Sequence, residues 1–145
     1  MIAARAPRAL LLDTCAVIWF FGGDPIDGDA QAAITRAAQA EGIFISPISA
    51  WEIGLLGRPR AGRGFQFLPD PTRWFASVMG QPGVRPAAFT PEIAIAASHL
   101  PEPLHGDPAD RLLIATARAT AMPIVTRDTK ILAYGAAGYV AALAC

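Results

Sequence analysis

The sequence predicts an α/β fold, three layers in the order α/β/α around a mainly parallel central sheet, and three observations lead there. Short runs of consecutive apolar residues, Leu10-Leu11-Leu12 and Ile43-Phe44-Ile45 among them, have the length and unbroken hydrophobicity of strands buried on both faces. Longer stretches with capping residues and helical periodicity alternate with these runs. The connections are short, and neither an internal repeat nor a linker divides the chain. One domain over residues 1–145 is therefore expected.

Taken in order, Ala9 to Leu12 reads as the first, central strand, ended by Asp13-Thr14. The following Ala16-Val17-Ile18-Trp19-Phe20 fits helix or strand until Gly22-Gly23-Asp24-Pro25 breaks it. Asp29 is placed to cap a helix to about Ala40, with Ala33, Ile34, Ala37 and Ala38 on one face and Gly42 as its stop. Ile43 to Ile45 is a second strand, closed by Ser46-Pro47, and a helix is expected from Ser49. Gly57 to Gly64, with Pro59 and three arginines, reads as a basic loop, and Thr72 to Met79 as a helix. A short strand is expected over Pro86 to Phe89. Thr90-Pro91-Glu92 supplies a cap, an N1 proline and an acidic first turn for a helix to about Leu100. Asp107-Pro108 opens another, Ala109 to about Ala121, with Leu113, Ile114 and Ala117 facing inward. Pro123 to Thr126 is a third strand, and Gly138-Tyr139-Val140-Ala141 a candidate for one more.

Composition narrows the function classes. A hydrophobic content of 53% with 17% charged residues excludes a disordered tail. Twelve basic residues cancel twelve acidic ones, so net charge announces no nucleic-acid partner. If the acids gather in one site, however, the remaining surface is basic, and every cation except Lys130 is an arginine, the side chain suited to phosphate. Cys15 and Cys145 are too few for a secreted disulfide framework, which points to a reducing cytoplasm. The N-terminal apolar run is interrupted by Asp13 and makes a poor signal peptide. The uncharged stretch from Ile131 to Cys145 is short for a membrane span, so no membrane association is expected.

Four carboxylates fall where strands end or helices begin: Asp13, Glu52, Asp110 and Asp128. An open α/β sheet presents ligand-binding side chains at the carboxyl ends of its strands. Each acid has a structural reading, since Asp107-x-x-Asp110 and Ser49-x-x-Glu52 resemble capping boxes and Asp13 or Asp128 can cap the segment after it. Together they would repel one another unless protonated or bridged by a cation, which argues for a divalent metal site.

These acids sit in four blocks: Leu11-Leu12-Asp13-Thr14, Ser49-Ala50-Trp51-Glu52-Ile53, His105-Gly106-Asp107-Pro108-Ala109-Asp110-Arg111-Leu112-Leu113-Ile114-Ala115 and Val125-Thr126-Arg127-Asp128. In this order and spacing they resemble a PIN-domain ribonuclease, most of all the VapC-like toxins of type II toxin–antitoxin pairs. The resemblance implies a metal-dependent endoribonuclease that hydrolyses RNA phosphodiesters, with Asp13, Glu52, Asp110 and Asp128 as catalytic metal ligands for Mg²⁺ or Mn²⁺ and Thr126 hydrogen-bonded within the site. It also implies a cognate antitoxin covering the acidic groove, and a homodimer. Asp107 reads first as the cap orienting the helix that carries Asp110. Cys15 stands where similar sequences often have His, and otherwise reads as a small buried residue.

The chemistry of the residues agrees. A divalent cation held by one or two carboxylates activates water and neutralises the phosphate under attack. His105, in a loop before the acid block, is either a substrate contact or structural. Arg58, Arg60 and Arg63 are either a solvated cluster or guides for a phosphodiester backbone. Trp19, Phe20, Trp51 and Trp74 read as core or interface anchors. Two alternatives remain: a receiver-like phosphoacceptor, which wants adjacent acids after the first strand and a lysine near the last, and a catalytically silent PIN-like binding module.

Overall fold

The computed structural model describes residues 5–59 and 65–145. Five strands, β1 (Ala9–Leu12), β2 (Gly42–Ile45), β3 (Val84–Pro86), β4 (Ile124–Thr126) and β5 (Ala142–Ala144), form one sheet in the order β3-β2-β1-β4-β5. All four pairings are parallel, so the expected mainly parallel sheet is wholly so among the described residues. The helices are α1 (Thr14–Gly22), α2 (Gly28–Ala38), α3 (Pro47–Leu56), α4 (Pro71–Met79), α5 (Pro91–Ser98), α6 (Pro108–Thr120) and α7 (Thr129–Ala136).

Side chains alternate across a strand, and β1 shows what this does at the centre of the sheet. Leu10 and Leu12 enter one core with Val17 of α1, Ile34 of α2, Ile53 of α3 and Val78 of α4. Leu11 enters the other, with Ile93 of α5, Ile114 of α6 and Ile131 of α7. All three leucines are fully buried. Helices thus cover both faces, which is the predicted three-layer arrangement. The chain runs outward from β1 to β2 and β3, then crosses back to β4 on the other side of β1. That reversal opens a crevice between the carboxyl ends of β1 and β4.

Several local expectations are corrected. The ambiguous segment after β1 is helical, α1, capped by Asp13. Asp27 rather than Asp29 caps α2, accepting from the backbone N–H groups of Asp29 and Ala30. Gly42 does not stop that helix but opens β2 at φ 123, where a Cβ would meet the Gly83 carbonyl at 3.0 Å. α3 starts two residues before Ser49, with Ser46 as its cap. The short strand expected over Pro86 to Phe89 lies at Val84–Pro86 and the last strand at Ala142–Ala144, each displaced from its predicted position. Residues 129–136 form α7, which the sequence pattern left unassigned. Gly135 interrupts that pattern for a packing reason, since a Cβ there would come within 2.9 Å of the Ala142 Cβ on β5. Phe20 and Trp74 pack against the core as expected, Trp19 is half-buried under the Arg127 guanidinium, and Trp51 is exposed. Among the described residues no helix is long and apolar enough to cross a membrane.

Candidate metal centre at the carboxyl edge of the sheet

The four predicted acids arrive at the crevice by different routes. Asp13 follows β1 and caps α1, its Oδ1 accepting from the Ala16 N–H at 2.8 Å. Asp128 follows β4 and caps α7, its Oδ1 accepting from the N–H groups of Lys130 and Ile131. Asp110 lies in the first turn of α6, set there by Asp107, whose Oδ1 accepts the Asp110 N–H at 3.0 Å. Glu52 departs from the expected placement, because it sits in the second turn of α3 rather than at a helix start.

That register gives Ser49 and Glu52 a role other than a capping box. One turn apart on α3, both meet Thr14 of α1, whose Oγ1 lies 3.0 Å from Ser49 Oγ and 2.5 Å from Glu52 Oε1. A hydroxyl has one hydrogen and an ionised carboxylate only accepts, so Thr14 donates to Glu52 and takes its own hydrogen bond from Ser49. The sequence alone does not single out Thr14 and Ser49 as site residues. Their signal is the i, i+3 spacing of Ser49 and Glu52, which fits a shared helix face as well as it fits a cap.

Thr126 lies between Asp13 and Asp128. Its Oγ1 accepts the Asp128 N–H at 2.9 Å and donates to Asp13 Oδ2 at 2.5 Å, joining the ends of β1 and β4 through one buried hydroxyl. Arg127 anchors the same turn from outside. It stacks 4.0 Å over Trp19 and donates to the carbonyls of Pro25 and Cys145.

The acids share one electrostatic field. Burial, reinforced by repulsion from Asp110 and Asp128, pushes the Asp13 carboxyl up to about 6 against the lowering effect of its Thr126 and Ala16 hydrogen bonds. Burial likewise raises Glu52, with Thr14 opposing and Asp110 and Asp107 adding repulsion. Burial raises Asp110 too, opposed by His105 and reinforced by Asp107 and Asp128. Asp107 therefore caps α6 and contributes negative potential. Cys15 is exposed rather than buried as expected. Partial desolvation of its thiol, then repulsion from all four acids, pushes it up to about 11.

Among the described residues, no lysine or arginine forms a salt bridge with any of the four acids. Nor does any group of three His, Cys, Asp or Glu side chains converge tightly enough to cage a metal ion. A hard cation that keeps several waters and takes one or two direct carboxylates fits such an arrangement better than a tightly caged one. Oxygen availability fits as well. Glu52, Asp110 and Asp128 are each held through one carboxylate oxygen, and the other has no protein partner among the described residues.

Residues 10–137 match the PIN domain family. The chain belongs to that family. Ribonuclease VapC22 of Mycobacterium tuberculosis is 29% identical over 122 residues, 84% of this chain and 88% of that protein. Among solved structures, VapBC2 from Rickettsia felis bound to a promoter DNA fragment superposes with a TM-score of 0.68 at 13% identity, covering 94% of this chain and 98% of that one. DNA-bound VapBC from Salmonella typhimurium gives 0.57 at 16% identity, covering 94% and 97%. These structures share the PIN fold.

Within this PIN domain the remaining candidates divide. His105 Nε2 is 2.8 Å from Asp110 Oδ2, so the ring faces Asp110, while its Nδ1 is buried without a partner among the described residues. Arg58 is exposed just beyond α3. Arg60 and Arg63 lie outside the described residues. Lys130 is exposed in the first turn of α7, and Asp13 has no adjacent acid after β1, so the receiver-like alternative falls to the PIN assignment.

Proposed function

We propose that this PIN domain is a Mg²⁺- or Mn²⁺-dependent endoribonuclease, the toxin of a VapBC-type pair, with Asp13, Glu52, Asp110 and Asp128 as its catalytic metal-binding acids, one or two ligating the cation directly and the others through its waters. The observation that carries the reading is a set of desolvated, mutually repelling carboxylates with no lysine or arginine salt-bridge partner among the described residues, at the switch point of a parallel sheet. When bound, a divalent cation supplies neutralisation of phosphate charge and activation of water. The chain's own residues do the rest. Thr126 orients Asp13, Thr14 with Ser49 orients Glu52, and the α6 cap at Asp107 sets where Asp110 begins.

RNA is the proposed substrate, with Arg58, Arg60 and Arg63 as phosphate guides. A cognate antitoxin, occupying the acidic groove, and a homodimer complete the reading. The resemblance to VapC22 and to solved VapBC assemblies supports it. Both cysteines are free thiols, in keeping with action in the cytoplasm. Purified protein should cleave RNA only when Mg²⁺ or Mn²⁺ is supplied, and chelation should stop it reversibly. Metal-independent cleavage would overturn the metal assignment. Absence of cleavage on a panel of structured and single-stranded RNAs would favour a silent binding module.

A further inference from the structure

We propose that His105 is a positioning residue that fixes Asp110 through Oδ2 and so leaves Oδ1 to ligate the cation. The inference rests on the metal-nuclease reading and adds a residue to it. His105 and Asp110 meet at 2.8 Å with both side chains largely covered, 13% and 22% exposed. An ionised carboxylate can only accept, so Nε2 is the ring nitrogen that carries hydrogen. His105 is the one side chain among the described residues that donates to Asp110, whose backbone N–H is spent on Asp107.

Nδ1, buried without a partner among the described residues, adds a second observation. A buried polar atom with no hydrogen bond is unfavourable, and an apolar side chain in the same place would avoid it. A histidine here is explained by what its other nitrogen does for Asp110. The pattern repeats around the site: Asp13 is held by Thr126, Glu52 by Thr14 and Asp128 by backbone N–H groups, each donor fixing a carboxylate rotamer. Without His105, Asp110 would be the one acid free to turn. Partners that orient a ligating side chain typically affect metal affinity by about ten- to a hundredfold.

The test uses the full chain and Mn²⁺, with affinity read by paramagnetic resonance titration and folding by circular dichroism. His105→Ala should weaken Mn²⁺ binding about tenfold. His105→Gln, whose amide nitrogen can donate to the same carboxylate oxygen, should recover most of that loss. Cleavage should follow the same order, with kcat changing more than KM. If the alanine variant does not fold, His105→Leu supplies the donor-free comparison. Parent-like Mn²⁺ affinity in the donor-free variant, or a glutamine variant as weak as that one, overturns the positioning role alone. A parent protein that binds no Mn²⁺ overturns the nuclease reading and this role with it.

Discussion

Asp13 and Asp128 obey the same local rule and end in different environments. Each follows a parallel strand, each caps the next helix, and each is bonded to the Thr126 hydroxyl, one through its carboxylate and the other through its backbone N–H. Yet Asp13, at the end of the central strand, is only 6% exposed, whereas Asp128 is half-buried. Burial raises the Asp13 carboxyl to about 6, against an ordinary value of 3.8. Two caps that are equivalent in sequence are therefore unequal in chemistry, and the cover supplied by the rest of the fold makes the difference.

The largest effect expected from breaking this pair is on catalysis. Asp13→Asn keeps the cap and the volume but removes the charge, and kcat/KM for RNA should fall by at least about a hundredfold. Asp128→Asn should cost less, because more of its surroundings remain open to water. Steady-state cleavage by the two variants checks the order, and a reversed order would break the comparison.

The next effect is on stability without metal. Because the folded-state value of Asp13 lies above its unfolded value, the stability contributed by its protonated form is complete below about 3.8 and lost as pH rises through about 6. In chelator at pH 8, Asp13→Asn should exceed the parent in stability by up to about 3 kcal/mol, and the gap should close near pH 4. Metal uptake by the parent should strengthen as pH rises through about 6. Urea melts of both proteins at several pH values, with and without Mg²⁺, measure both trends.

Removing the shared hydroxyl tests the link between the two aspartates. Thr126→Val leaves Asp13 Oδ2 without its donor and the Asp128 N–H without its acceptor, for a loss of about 1–3 kcal/mol. Thr126→Ser should retain most of the parent stability and cleavage. The smallest effect belongs to a third aspartate cap, the exposed Asp107. Asp107→Ala should cost about 1 kcal/mol of stability while changing Mn²⁺ affinity by no more than about twofold. A larger loss of affinity would move Asp107 from cap to ligand.

Legibility depends on how local each signal is. α6 is readable because cap, N1 proline and apolar periodicity agree within a few residues, and β1 because three consecutive leucines bury on both faces. α7 is hidden because Gly135 answers to β5, seven residues further along the chain, and the last strand is displaced with it. Ser49 and Glu52 have the spacing of a cap, and only the position of Ser46 and the approach of Thr14 turn that spacing into a site contact. His105 stands out in the sequence, but its orientation toward Asp110 depends on how the loop before α6 folds back.

By itself the sequence determined the alternation of strands and helices, the caps, and the presence of four acid-bearing blocks in an order that resembles a PIN-domain nuclease. These depend on contacts within a few residues and on composition. Only the tertiary structure decided where the topology reverses, which hydroxyl holds which carboxylate, and which acid loses its water. Asp13 and Thr126 are far apart in sequence and 2.5 Å apart in the fold, and no local rule carries that distance. A proton affinity is set by the dielectric and the charges around a group. Those surroundings exist only once β1, β4, α3 and α6 have converged.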